Sequence, residues 1–169
     1  RRVLFRSLNI AIRHLRNQNN KHNSMLIHIS RFSDIHSKIA LIVNRYLESV
    51  KTDIKAYGKL PFPLEQSNMI KKLNDVFLEK LSFIEFKWDS VLHKLVDIID
   101  TIVVREEHQK SKLRIEYRKD IVSNIIAIGG MSLARGFTLE GLSVSYFIRN
   151  TIFYDTLMQM GRWFGYRMG

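Results

Sequence analysis

The feature that most limits the fold of this chain is the spacing of its short apolar segments. Residues 25–29, 121–128 and 142–148 are apolar runs of strand length, and Ile102-Val-Val104 is a shorter β-branched run. Runs of this kind suit strands that are buried on both faces. Longer stretches with helical periodicity lie between them. This alternation predicts an α/β layer fold with a mainly parallel sheet.

The helical stretches are marked by apolar residues three and four positions apart. We expect helices over 3–16, from Ser33 or Asp34 to about Tyr46, and over 68–83, 88–99 and 151–164. Ser33 or Asp34 is suited to cap the second of these. A polar loop is expected over 17–23 and a break at Lys59-Leu-Pro-Phe-Pro63.

Composition narrows the function classes. The chain has 169 residues, no Cys, 46% hydrophobic residues and a formal net charge of +11. The length suits one domain, and the absence of Cys excludes disulfides, a thiolate zinc site and a cysteine nucleophile. No apolar run approaches the roughly 20 residues that span a bilayer, so a soluble cytoplasmic protein is expected. The positive charge favours an anionic partner, most often nucleic acid.

Charge and glycine are both unevenly distributed. Residues 1–51 carry ten Lys or Arg against two Asp or Glu, and seven of the eight glycines lie between Gly129 and Gly169. A buried strand there runs into Gly129-Gly130, and paired glycines after a strand let backbone N–H groups approach an anion. Ligands in open α/β sheets bind beyond the carboxyl ends of the strands, so we expect the site at that edge.

Three segments carry a resemblance to a known family. Arg135-Gly-Phe-Thr-Leu139 followed by Gly141 and a strand resembles motif V of superfamily 2 helicases, and Gln159-Met-Gly-Arg-Trp-Phe-Gly-Tyr-Arg167 resembles motif VI. The strand that ends at Ser30-Arg31 before a helix resembles motif IV, and the three occur in the family's order. More narrowly, SMLIHIS, GGMSLARGFTLEGLSVSYF and YDTLMQMGRWFGYR are similar to the Z-one domain, a family that carries an endonuclease name and is regarded as a divergent superfamily 2 helicase of bacterial defence systems.

The resemblance implies a RecA-like (P-loop NTPase-like) three-layer lobe that spans 1–169, with 52–99 as a helical insertion. It implies a part in ATP hydrolysis with Mg²⁺, in which Arg162 and Arg167 stabilise charge on the γ-phosphate as arginine fingers. The residues implied for ATP binding are Gly136, Thr138 and Gln159.

The resemblance also implies DNA as a partner, held through its backbone phosphates. The residues that match nucleic-acid-binding positions are Ser30, Arg31, Ser132 and Arg135. At the motif V position where the family usually has an acidic residue, this chain has Thr138, and Glu140 is a possible substitute for that acid. Phosphate contacts of this kind position the nucleic acid and do not read its sequence.

No G-x-x-x-x-G-K-[ST] motif occurs, so the phosphate cradle of ATP is expected on an N-terminal RecA-like lobe of a longer chain. Arg105-Glu-Glu-His108 looks like a DExH box but lies between motifs IV and V, and we interpret it as a solvated strand end. The chain is therefore interpreted as a fragment that is inactive alone. The expected parent is a helicase or translocase of a restriction or phage-defence system.

Two other functions stay open. An endonuclease would need an acidic cluster. Glu106, Glu116 and Asp120 could be combined into one, but their spacing matches a nuclease pattern no better than expected by chance. A non-catalytic basic module is the third hypothesis, motivated by residues 1–51. No metal site is expected, because the six His are scattered. His28 is expected as a hydrogen-bonded core residue, and His22 is expected to face water.

Overall fold

The helices and strands follow the apolar pattern closely. The computed structural model describes residues 1–29, 33–107, 117, 121–130 and 139–148. Five α-helices lie in them, α1 Arg2–Leu15, α2 Ser33–Tyr57, α3 Pro63–Gln66, α4 Asn68–Leu81 and α5 Trp88–Ile98, and a 3-10 turn, Ile99–Thr101, follows α5. The four strands are β1 Asn23–His28, β2 Ile102–Glu107, β3 Asn124–Gly129 and β4 Leu142–Phe147. The expectations for α1, α4, α5 and the strands are confirmed, and α2 runs further than predicted.

The chain divides into two compact units. The first, called the helical unit here, comprises Arg1–Lys21 and Val43–Val103, and the second, called the sheet unit, comprises His22–Ile42 and Val104–Gly169. The unit boundaries fall inside α2 and β2, so each of these elements begins in one unit and continues in the other. Mixed α/β structure with a parallel sheet is what the sequence predicted, and it is compatible with a RecA-like three-layer fold.

The helical unit is built on the apolar faces of its helices. Helix α1 packs on α4 and α5, and α3 packs on α4. The core side chains of this unit come from every long helix and are almost inaccessible to solvent, among them Leu4, Leu8, Leu47, Ile54, Ile70, Leu73, Leu92 and Leu95. Residues 52–99 are predominantly helical, although the prediction that they are an insertion into one lobe stays a prediction.

The sheet has the strand order β2-β3-β1-β4. Strand β1 pairs in parallel with β3 from Asn23↔Asn124 to His28↔Gly129, and with β4 from Met25↔Val144 to His28↔Phe147. Every residue of β1 and β3 is buried, whereas β4 is partly exposed. Because alternate side chains of a strand point to opposite faces, both faces of the sheet are covered at β1 and β3.

Candidate functional site

The carboxyl ends of three strands meet in one row. His28 ends β1 opposite Gly129 of β3 on one side and Phe147 of β4 on the other. The row continues one residue further, because Ile29 N–H donates to Gly129 O at 2.9 Å and Ile148 N–H donates to His28 O at 3.0 Å. This row is the carboxyl edge at which open parallel sheets bind their ligands.

The strand order marks one position on that edge. From β1 the chain goes on to β2, which lies on the β3 side of the sheet, and from β3 it goes on to β4, which lies on the β1 side. The chain therefore leaves the adjacent strands β1 and β3 in opposite directions across the sheet. A crevice at such a switch point is the usual ligand site of a parallel α/β sheet. Here the switch point lies between His28 and Gly129.

His28 is the unusual side chain at this switch point. It is 4% exposed, and neither Nδ1 nor Nε2 has a hydrogen-bond partner in the part of the chain that the structure describes. Its ring packs against Phe147 with the centroids 5.4 Å apart. Burial lowers the pKa of His28 below its usual 6.5, and the nearby His36 imidazole adds to the effect. The imidazole is therefore neutral near pH 7, with one donor and one acceptor free.

The sequence interpretation of His28 was wrong in one respect. Burial is confirmed, but the expected hydrogen bond is missing among the described residues. Buried polar groups in folded proteins are nearly always hydrogen-bonded, so the two nitrogens of His28 are able to bond a water or a ligand at this edge. The sequence places His28 within an apolar run but gives no sign that its ring nitrogens lack partners.

The opposite end of the sheet is closed by polar contacts. Asn23 donates to Asn124 Oδ1 at 2.8 Å, and Ser24 Oγ donates to the carbonyl of Glu140 at 2.7 Å. Glu140 therefore lies at the amino end of β1, about 13 Å along the strand from His28 at 3.3 Å per residue. It does not lie at the carboxyl edge, so its suggested substitution for the missing acid of motif V is wrong.

His22 also has a structural place that the sequence did not reveal. Its Nδ1 accepts a hydrogen bond from Ser123 N–H at 3.1 Å, its ring contacts Tyr117 edge-on, and its Nε2 lies 3.9 Å from a Glu140 carboxylate oxygen. The expectation that His22 faces water is therefore wrong. A histidine fixed in this way orders the turn into β4.

The acidic end of β2 is likewise better ordered than expected. Ser37 Oγ donates to Glu106 Oε1 at 2.8 Å, and Glu107 is buried. The interpretation of Arg105-Glu-Glu-His108 as a solvated strand end therefore holds for Arg105, which is exposed, and fails for Glu107. Across the described ranges, no group of three or more His, Asp or Glu side chains is placed to hold a metal ion.

All nine residues predicted for ATP hydrolysis, ATP binding and nucleic-acid binding lie outside the described residues. In the sequence they come after the strands whose ends form the row: Ser30 and Arg31 within three residues of the end of β1, Ser132, Arg135, Gly136 and Thr138 three to nine residues after β3, and Gln159, Arg162 and Arg167 twelve to twenty residues after β4. Glu116 and Asp120 of the endonuclease alternative also lie outside them. No helix in the described ranges is long and apolar enough to cross a membrane.

The fold places the chain in the class of parallel α/β proteins. Its switch point lies at the carboxyl ends of two adjacent buried strands, β1 and β3. Comparison with protein families then gives the family. The model of the Z1 domain matches residues 3–169, so the chain belongs to the Z1 domain family. No curated protein and no solved structure matches the chain.

Proposed function

We propose that this chain is the C-terminal lobe of an ATP-dependent superfamily 2 DNA helicase or translocase, of the restriction or phage-defence type, that acts in the cytoplasm. The observation that supports it best is the row formed by His28, Gly129 and Phe147. Each of the three segments that resemble helicase motifs follows one of these strand ends in the sequence. In a motor lobe of this class the motifs meet at such an edge.

In the proposed function the chain completes an ATP site whose phosphate cradle belongs to an N-terminal RecA-like lobe. Arg162 and Arg167 would stabilise the charge that develops on the γ-phosphate, and Gly136, Thr138 and Gln159 would contact the nucleotide. ATP with Mg²⁺ supplies the phosphoryl group and its charge neutralisation when bound. The unpartnered nitrogens of His28 and the absence of a side chain at Gly129 fit a polar ligand at this edge.

DNA is the proposed second ligand. Ser30, Arg31, Ser132 and Arg135 would hold backbone phosphates, which gives an affinity that depends on salt and little on sequence. The net charge of +11 supports an anionic partner of this kind. A nuclease activity and a purely non-catalytic binding role are the competing outcomes of the test below.

The test measures DNA-stimulated ATP hydrolysis by the complete parent protein. Arg162→Ala is expected to lower kcat at least about 100-fold, because arginine fingers contribute factors of this size or more. Arg105→Ala is the matched control, since Arg105 is exposed on β2 and no motif includes it; it should keep wild-type turnover.

Three results would contradict the proposal. Wild-type turnover in Arg162→Ala would remove the arginine-finger role. Mg²⁺-dependent DNA cleavage by this chain alone that survives Arg162→Ala would favour the nuclease. Salt-sensitive DNA binding by the parent protein with no nucleotide hydrolysis would favour the binding module.

A further inference from the structure

The segment between α2 and α4 in the helical unit is rigidly built. Glu65 N–H donates to Phe62 O at 3.0 Å, and Gln66 Nε2 donates to Pro61 O at 2.6 Å. Ser67 ends the segment, with its hydroxyl oxygen accepting from Met69 N–H and Ile70 N–H at 3.1 Å each. These bonds fix the backbone from Pro61 to the start of α4.

Phe62 has a backbone conformation in this segment that is unfavourable for its residue type. It has φ +54° and ψ +50°, the left-handed region that costs an L-residue about 1–2 kcal/mol. It also precedes Pro63, a position that favours extended backbone. Its side chain is 72% exposed and therefore gains little from burial. A strained and exposed phenylalanine is poorly explained by folding and points to a contact with something else.

Phe62 lines an open pocket that lies wholly within the helical unit. The pocket has a volume of about 340 Å³, and its wall is formed by Phe62, Pro63, Leu64, Glu65, Trp88 and Asp89. The indole of Trp88 packs against the ring of Phe77, with the ring centroids 5.5 Å apart, and this contact holds it in place. The lining residues thus include two aromatic and two acidic ones. We call this the aromatic–acid pocket.

The two carboxylates differ from most other acids of the helical unit. Glu79, Glu85, Asp97 and Asp100 each form an ion pair with a Lys or Arg, at 2.6 to 2.8 Å. Glu65 and Asp89 have no ion pair among the described residues, although the chain carries 27 Lys and Arg against 16 Asp and Glu. In so basic a protein, two such acids in one pocket leave a site for a positive charge from outside.

We propose that the aromatic–acid pocket binds an arginine side chain of a partner polypeptide. A guanidinium group stacks on aromatic faces and pairs with carboxylates through a planar fork of donors, so both kinds of wall residue are used. The carboxylates repel phosphate, which excludes DNA as the occupant. The site lies wholly in the helical unit and includes no residue of the motif-bearing segments, so the proposal stands independently of the helicase proposal.

The test titrates the 169-residue chain with acetyl-Gly-Arg-Gly-amide and follows the indole N–H signal of Trp88 by NMR. Trp88→Phe identifies that signal. We expect saturable binding, and at least tenfold weaker binding of the same peptide with citrulline in place of arginine. Citrulline keeps the shape of the side chain and removes its charge.

Two pairs of variants locate the binding. Glu65→Gln/Asp89→Asn and Phe62→Gly should each weaken arginine-peptide binding at least tenfold. Asp75→Asn and Phe83→Ala are the matched controls and should stay within twofold. Asp75 is an exposed acid without an ion pair among the described residues, Phe83 is 84% exposed, and both lie outside the pocket wall. Circular dichroism of each variant shows whether it is folded.

The proposal is overturned if no peptide binds up to its solubility limit, if citrulline binds as well as arginine, or if Asp75→Asn weakens binding as much as the pocket variants. Sedimentation tests a second copy of this chain as the occupant. A dimer that disappears in Glu65→Gln/Asp89→Asn would overturn the assignment to a separate partner.

Discussion

Two residues of this chain, His28 and Phe62, each have a local arrangement that lowers the stability of the fold. At His28 the cost is an imidazole without a partner among the described residues, and at Phe62 it is a left-handed backbone with an exposed ring. Both positions lie on the wall of a proposed site. Folding alone favours a different residue at each, so the substitutions that stabilise the chain are the ones expected to remove binding.

His28→Leu is expected to raise the free energy of unfolding at pH 7.5 by about 1 kcal/mol, because an unpartnered buried polar group is removed. The pKa of His28 in the folded chain is lowered from 6.5, so the folded state resists protonation. Stability is therefore retained above pH 6.5 and lost as the pH falls through that value. His28→Leu should lose less stability between pH 7.5 and 5.5 than the wild type does.

Urea unfolding at the two pH values measures this. His93→Leu is the control, since His93 is exposed on α5, and it should keep the wild-type pH dependence. An equal loss of stability in His28→Leu and the wild type would show that His28 does not carry the effect.

At Gly141, unlike at His28 and Phe62, the residue present is the one that the local backbone requires, because only glycine fits there. It has φ +63°, and a Cβ built there would lie 1.8 Å from the carbonyl oxygen of His22. Gly141→Ala should therefore lower the free energy of unfolding by more than the roughly 1–2 kcal/mol of a left-handed residue alone. Thermal unfolding measures it, with Ser143→Ala, in the strand β4 that follows Gly141, as a control. A melting temperature unchanged by Gly141→Ala would contradict the close approach.

At the scale of elements, the sequence predicted most of the helices and strands because each has an apolar face of regular period. It did not predict α3, where polar residues occupy regular backbone. Periodicity also does not reveal which elements pack together. The packing of α1 on α4 and α5 joins parts of the chain that are far apart in sequence.

The sequence predicted where the candidate site lies on the sheet, but not how its side chains are arranged. Gly129-Gly130 after an apolar strand indicated the carboxyl edge, and the strand order confirms that β1 and β3 end there side by side. Neither the missing partner of His28 nor the distant position of Glu140 has a sequence signature, because both depend on strand register.

Ser67 illustrates an element boundary that periodicity places only approximately. Its side chain caps α4, with bonds to Met69 N–H and Ile70 N–H at 3.1 Å, and donates to Asp53 Oδ2 at 2.5 Å. Ser67→Ala removes the cap and leaves these buried groups unsatisfied, so the free energy of unfolding should fall by about 1–2 kcal/mol. Ser82→Ala, at the exposed other end of α4, should change it by less than about 0.5 kcal/mol. Urea unfolding that shows equal effects at the two ends would contradict the capping role.

At the scale of the whole molecule, the net charge of +11 overstates the charge that is free to meet DNA. Arg1 and Arg16, which flank α1 at its two ends, are ion-paired with Glu79 and Glu85, and Arg6 within α1 is buried. The Arg16 guanidinium bonds both oxygens of Glu85 and holds the pKa of that carboxyl at about 2, so this pair persists at any physiological pH. Part of the basic first third therefore serves the helical unit itself.

Lys38 and Arg45 on α2 are the better candidates for contact with DNA phosphates. Both are exposed, and neither has an ion pair in the described ranges. If DNA is the partner, Lys38→Gln/Arg45→Gln should reduce the slope of log K against log salt by about 1.8, or about 0.9 for each lost phosphate contact. Arg16→Gln/Glu85→Gln, which leaves the net charge unchanged and removes only an internal pair, should keep the wild-type slope. Fluorescence anisotropy with duplex DNA between 50 and 200 mM salt measures both. A larger loss of slope in the second variant than in the first would show that α1, and not α2, faces the nucleic acid.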